Sequence, residues 1–315
     1  MEILILGYSN LVKKKIIPLF KKELSNIKFS ICSKSQTKKK IGALNWYRDY
    51  RQALKNSNAD IVYISLPNSL HYFWAKKFLS KNFHVIIDKP ATLNFNHSHD
   101  LVKLAKKNKK LLSEAIVFSY HNQFNKALKE IKSIKNIIHI DVRFVIPSFP
   151  KNNWHNLKKF KGGCLQDMGP YAAAIHRILI SDTLKNYKLQ SFLKINKNNI
   201  NENFIIRTTS KKKTFNGYFS HKGEYENSLL LFTKDKSVKI NRVFSPPNNI
   251  NLTLKINKGI DAYERNIKKD DTFLKYFRKI IKLIYTKKFE AEYQNLMKDS
   301  FFREKICLKK NFIKI

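Results

Sequence analysis

A phenol, an ammonium and a carboxylate brought together can move a proton to or from an alcohol or ketone oxygen, and Tyr171, Lys89 and Asp167 are residues of those types. Hydride exchange at a carbinol carbon needs a proton donor or acceptor within hydrogen-bond reach of the oxygen, and a positive group to hold the developing charge. Tyr171 and Lys89 can fill those two places. Asp167 precedes Tyr171 by four residues, which puts both on one face of a helix, where the carboxylate can orient substrate or the ammonium. Taken singly, each has an ordinary use: Tyr171 as a core aromatic, Asp167 as a helix cap, Lys89 as one of many surface lysines.

The elements that must position them are legible as two patterns. Over the first third, short β-rich runs at 3–6, 29–32, 61–65, 85–87 and 112–116 alternate with helical periodicity at 11–24, 50–56, 70–80 and 97–107. That alternation predicts a parallel, doubly wound α/β sheet. Further strands are predicted at 138–145, 187–195, 204–209, 214–220, 228–233, 237–241 and 252–256, with one helix among them at 171–180 and two more at 270–286 and 290–308. Few helices separate those strands, so an α+β domain with a large, mostly antiparallel open sheet is expected. The predicted division is residues 1–118 for a Rossmann domain and 119–315 for the α+β domain.

The first strand runs into Gly7-Tyr8-Ser9-Asn10-Leu11-Val12 and then a helix, the place where a Rossmann fold turns tightly and offers helix N-terminal amides to a diphosphate. Gly7, Ser9, Asn10 and Leu11 are the expected phosphate-loop contacts, with Ser9 and Val12 at the second and third glycine places. After the second strand come Ser33, Lys34 and Ser35, followed by Lys38 to Lys40, and no carboxylate. A free ribose 2′-hydroxyl favours Asp or Glu there and a 2′-phosphate favours hydroxyl and cationic donors, so NADP is expected in preference to NAD.

Two later segments, Leu66-Pro67-Asn68-Ser69-Leu70-His71 and Asp88-Lys89-Pro90, continue the pattern, as do Glu114-Ala115 and Gly162-Gly163-Cys164-Leu165-Gln166-Asp167-Met168-Gly169-Pro170-Tyr171. Together these resemble the glucose-fructose oxidoreductase and inositol 2-dehydrogenase (Gfo/Idh/MocA) family, which carries P-N-x-x-H, E-K-P and G-G-G-x-L-x-D-x-G-x-[HY] in that order. The resemblance implies an NAD(P)-dependent oxidoreductase acting on CH-OH groups, nearest the sugar or nucleotide-sugar ketoreductase branch. It implies that Tyr171 is the acid/base, that Lys89 touches the substrate oxygen, and that Asp167 completes the set. It further implies cofactor contacts at Leu66, Pro67, Asn68, His71, Asp88 and Lys89, a substrate contact at His121, and a homodimer or homotetramer assembled through the open sheet. Asp88 stands where the family has Glu, and Ser119 and Asn122 stand where it has Arg and Pro. The altered phosphate loop leaves a non-catalytic dinucleotide- or sugar-nucleotide-binding sensor as the alternative.

Composition bounds the remaining classes. Of 315 residues, 43% are hydrophobic, a globular composition with length enough for two domains. The net charge is +39, but only nine of the 62 basic residues are Arg and the lysines lie along nearly every element. Base reading favours forked Arg contacts, so a generally basic surface is expected and no specific nucleic-acid site. No apolar run approaches the ~20 residues of a membrane span. Cys32, Cys164 and Cys307 are widely spaced and odd in number, as expected in a reducing cytoplasm, and no metal site is expected. His97, His99 and Asp100 read as the polar start of a helix, and His176 as a packing residue.

Overall fold

Ile3 to Leu6, Ile61 to Ile64 and Val85 to Ile87 are unbroken apolar runs in which every side chain is fully buried, as strands covered on both faces must be. They form the centre of a six-stranded, wholly parallel sheet. The computed structural model describes residues 1–34, 41–150, 153–180, 187–308 and 310–314. In chain order the first sheet comprises β1 (Glu2–Leu6), β2 (Lys28–Cys32), β3 (Trp46–Tyr47), β4 (Ile61–Ile64), β5 (His84–Ile87) and β6 (Leu112–Glu114). Its spatial order is β3-β2-β1-β4-β5-β6, the reversal at β1 that defines a doubly wound fold. The crossovers carry α1 (Ile17–Lys22), α2 (Tyr50–Asn56), α3 (Asn68–Ser80) and α4 (Phe95–Lys107). The helix expected from residue 11 opens instead as a wide π-helical turn, Val12–Ile16, before α1 begins.

The chain packs as two compact units: residues 1–115 with 273–300, and 116–272 with 301–315. Where the sequence points to one boundary after residue 118, the chain divides after Ala115 and returns to the first unit late. The reason is visible in α7 (Thr272–Thr286) and α8 (Glu290–Leu308). Phe277 is fully buried against Phe20, ring centroids 5.0 Å apart, and lies 5.9 Å from Tyr63 of β4. Tyr276 hydrogen-bonds Ser113 of β6 at 2.9 Å.

The second unit is built on a nine-stranded sheet ordered β14-β13-β12-β11-β7-β10-β9-β8-β15. Its members are β7 (His139–Val145), β8 (Lys188–Ile195), β9 (Asn201–Thr209), β10 (Thr214–Ser220), β11 (Glu226–Phe232), β12 (Ser237–Asn241), β13 (Leu252–Lys258), β14 (Asp261–Ile267) and β15 (Lys310–Lys314). Pairing is antiparallel except for β7 with β10 and β8 with β15. One face packs on α5 (Asn122–Glu130) and α6 (Cys164–Ile180). Ala172, Ala173 and Ala174 are buried there, and Phe204 stacks on Phe219 at 4.6 Å, both rings fully buried. Truncating either ring would cost about 3–5 kcal/mol. β14 escapes sequence reading because its Asp-Ala-Tyr-Glu-Arg-Asn-Ile run has no apolar face; a charged outer strand protects the sheet edge. α6 begins at Cys164, seven residues before the expected start, with Pro170 inside it rather than at its first turn.

Candidate functional site

The candidate residues divide between the units. In the first, Gly7 follows β1 with φ +96°, and a Cβ there would lie 2.1 Å from the Ser65 carbonyl oxygen. Only glycine fits, because both the dihedral and the close approach of the chain after β4 exclude a side chain. Ser9, in the second glycine place, accepts the Val12 N–H at 3.2 Å and shares a 2.8 Å hydrogen bond with Ser65 Oγ. Its hydroxyl therefore sits on one of the helix N-terminal amides that an anion would use. Val12 is fully buried, so the third glycine place is a packing position. Asn10 is exposed and Leu11 half-buried at the start of the same turn.

The chain of hydroxyls ends on Asp88. Ser65 donates to its Oδ2 at 2.5 Å and Tyr63 donates to its Oδ1. Burial pushes this carboxyl above the usual range, opposed by the two hydroxyls and by the charges of His71 and Lys89. Asp88 thus ties β5 to β4, a scaffolding duty that the expected cofactor contact did not include. His71 is 1% exposed, with Nδ1 2.8 Å from the Pro90 carbonyl and Nε2 2.7 Å from that of Leu66. Both ring nitrogens are engaged by protein, so His71 is a strut between the loops after β4 and β5. Burial lowers its pKa while those carbonyls and Asp88 oppose. Glu114, at the end of β6, accepts the Ala91 N–H at 2.7 Å and fixes the chain just past Lys89-Pro90. Asn68 is buried at the start of α3, behind Pro67.

At the end of β2, Ser33 is buried and donates its N–H to the Tyr47 carbonyl at 3.0 Å. Lys34 is exposed, its ammonium 5.1 Å from the centroid of Tyr50. Lys13 reaches over the Tyr8 ring at 4.7 Å, and Tyr8 meets Trp46 edge-on. These add a cation and two aromatics that no motif flagged. Ser35 and Lys38 to Lys40 fall outside the described residues.

In the second unit, Asp167 and Tyr171 lie one turn apart on α6, whose start is held by Leu165 N–H donating to Asn201 Oδ1 at 2.9 Å. The Tyr171 ring sits among Phe118, Phe144 and Phe244, with centroids 6.1, 5.6 and 4.9 Å away. A collar of three phenyl rings holds the phenol in one orientation. Asp167 Oδ2 accepts from His221 Nε2 at 3.1 Å, and Oδ1 lies 4.0 Å from His155 Nε2. Sequence spacing does not reveal either partner, since His221 stands 54 residues away. Gly162 and Gly163 of the motif have local causes: a Cβ at Gly162 would lie 2.1 Å from the His155 carbonyl oxygen, and Gly163 has φ +112°.

His121 is fully buried and caps α5, its Nδ1 accepting the Gln123 N–H at 3.2 Å. The structure thus gives it a helix-capping duty that sequence reading did not assign. Asn122, where the family has proline, uses the N–H that proline lacks to bind Asp270 at 2.7 Å. His176 is in the core, stacked on Phe302 at 4.0 Å, and burial pushes its pKa down to about 3. His97 stacks on Tyr72 at 3.8 Å, while Asn94 caps α4. Among the described residues no group of His, Cys, Asp and Glu could hold a metal, and no helix is long and apolar enough to cross a membrane.

Residues 1–116 match the family described as oxidoreductase family, NAD-binding Rossmann fold (Gfo/Idh/MocA). A dTDP-3,4-didehydro-2,6-dideoxy-alpha-D-glucose 3-reductase from Streptomyces violaceoruber is 24% identical over 57% of this chain and 54% of its own length. The match thus spans little more than half of that relative. A 3-ketoreductase from Actinomadura kijaniata, solved in complex with NADP and TDP-benzene, superposes with TM-score 0.92 at 18% identity, covering 100% of this chain and 99% of that one. An aldose-aldose oxidoreductase from Caulobacter crescentus, complexed with glycerol, superposes with TM-score 0.84 at 15% identity, over 98% of this chain and 97% of the other. The second, mostly antiparallel sheet has the fold of these solved structures. The N-terminal 116 residues thus match the NAD-binding Rossmann domain of the Gfo/Idh/MocA oxidoreductases, and the chain as a whole has the fold of these solved structures.

Proposed function

We propose that this protein is an NADP-dependent ketoreductase of a sugar or nucleotide sugar. The observation that carries the reading is the retention of Lys89, Asp167 and Tyr171 at family spacing. It is supported by the likeness to sugar 3-reductases and by the fold shared with a ketoreductase that holds NADP and a TDP compound. The residues present fit a dinucleotide: the side-chain-free turn at Gly7 leaves backbone amides at the head of the first helix. Gly7 to Leu11 would hold the diphosphate, Ser33 and Lys34 the 2′-phosphate, and Leu66 to Asn68 with Lys89 the nicotinamide end. The bound dinucleotide supplies the hydride.

Tyr171 then gives its phenolic proton to the substrate carbonyl oxygen as that oxygen becomes a hydroxyl, and takes it back in the reverse direction. Lys89 holds the negative charge that develops on the oxygen, and Asp167 orients the reacting groups. Residues 1–118 bind cofactor in this reading. Residues 119–315 bind substrate and assemble homo-oligomers through the open sheet face, and the enzyme works in the cytoplasm without a specific nucleic-acid partner.

Fluorescence titration of the full chain with NADPH and NADH at physiological salt comes first, followed by turnover of keto sugar nucleotides. Micromolar NADPH binding, weaker NADH binding and turnover are expected. Ser9 covering the Val12 amide favours one other reading, a non-catalytic sensor. Sugar-nucleotide binding without turnover would establish it.

A further inference from the structure

The loop before α6 brings to Asp167 a histidine that belongs to none of the motifs. Its short turn, Trp154–Asn156, is capped by Asn153, whose Oδ1 accepts the His155 backbone N–H at 3.0 Å. That bond fixes which side of the amide is oxygen. The same oxygen lies 2.7 Å from His155 Nδ1, so Nδ1 carries a proton whatever the charge of the ring. Neutral His155 would then aim the lone pair of Nε2 at the Asp167 carboxylate, whereas the imidazolium aims an N–H. The ring also stacks on Phe149 at 4.1 Å and on Trp154 at 3.7 Å, π faces that favour a cation. His221 meets Phe149 edge-on and supplies the second arm, Nε2 to Asp167 Oδ2 at 3.1 Å.

We propose that His155 and His221 are positioning residues of the reaction, clamping the Asp167 carboxylate between them, His155 as an imidazolium, and so fixing it one turn ahead of Tyr171. The proposal rests on the ketoreductase reading. Asp167 from α6 and His221 from the chain after β10 face His155. Glu202 on β9 accepts the His221 backbone N–H, and its carboxylate is held by Lys222 at 2.6 Å. Lys158 and Lys159 occupy the next turn of the loop. Gly162 is part of the device, because only without a side chain there can the His155 backbone pass so close.

Deprotonation of His155 reverses the sign of its contact with Asp167. kcat/KM therefore falls as pH rises through the His155 pKa, and His155→Gln, whose amide donates at every pH, removes that alkaline limb while keeping activity. His155→Leu and His221→Leu each lower kcat/KM about 10-fold or more with unchanged NADPH affinity. Independently of turnover, NMR titration of histidine-labelled full chain reads the clamp directly. The His155 pKa should fall by about one unit or more in Asp167→Asn. An unchanged His155 titration in Asp167→Asn, or an active wild type whose pH profile survives His155→Gln, would overturn the clamp and leave the ketoreductase reading standing. A wild type that binds NADPH and turns over no keto sugar would overturn that reading and the positioning role with it.

Discussion

Asp88 and Asp167 are both motif carboxylates, one in each unit, and the protein holds them by different means. Asp88 is enclosed by hydroxyls from the adjacent strand: Tyr63 and Ser65 lie on or just past β4, in parallel register with β5. Asp167 is met by imidazoles from two loops, one just before α6 and one after β10, and its side chain keeps 16% of its exposure. Hydroxyls stabilise a buried carboxyl in either protonation state, so Asp88 suits a scaffold. Imidazoles answer to proton concentration, so Asp167 suits a place where protons move. The same contrast separates the histidines: His71 engages two backbone carbonyls and His121 Nδ1 a backbone N–H, whereas Nε2 of His221 meets a carboxylate and Nε2 of His155 lies 4.0 Å from it.

Each side of that comparison can be broken. The largest effect is expected at Gly7→Ala, where a positive φ and contact with the Ser65 carbonyl combine to about 4 kcal/mol. Chemical denaturation should show this loss, and a variant as stable as wild type would mean that the β1 turn is not rigid. Next is His176, a histidine in the core of the second unit. With its folded pKa pushed down to about 3, His176 stays neutral in the fold, whereas the unfolded chain takes up a proton below about 6.5. Its contribution is complete above that pH and is lost as pH falls toward 3, amounting to about 3 kcal/mol by pH 4.5. His176→Leu should flatten that part of the stability profile between pH 6.5 and 4.5; an unaltered slope would place the acid sensitivity elsewhere.

Lys89→Ala and Tyr171→Phe test the proposed chemistry. Each should cut turnover about 100-fold or more with modest change in NADPH affinity, and near-normal rates in both would remove the mechanism. The smallest effect sharpens the comparison at the phosphate loop. Ser9→Gly frees the Val12 amide and should tighten NADPH binding about fivefold, roughly one hydrogen bond. Weaker binding would show instead that the Ser9 hydroxyl itself serves the cofactor.

The Rossmann half was readable because its signals are local. A fully buried parallel strand is a continuous apolar run, and the turn after it needs glycine, so β1, β4, β5 and Gly7 could be placed from neighbouring residues alone. α7 shows the opposite case. Its amphipathic pattern announced a helix near 270–286, yet nothing in that pattern said that Phe277 would pack on Phe20 and Tyr63 instead of within the second unit. Nor could Asp88 reveal that its oxygens go to hydroxyls, because a carboxylate in a motif has the same letter whether it faces a ligand or a strand.

Residue order by itself determined the match of the N-terminal domain, the parallel sheet and the helical pairing of Asp167 with Tyr171, since these rest on short-range periodicity and on motifs that fit within a few turns of chain. Tertiary structure alone decided that His121 is a cap, that His71 is a strut, and that His155 and His221 converge on Asp167. Those outcomes depend on which distant segments share a surface, and the Asp167–His221 contact, closing across 54 residues, has no period for a sequence to display.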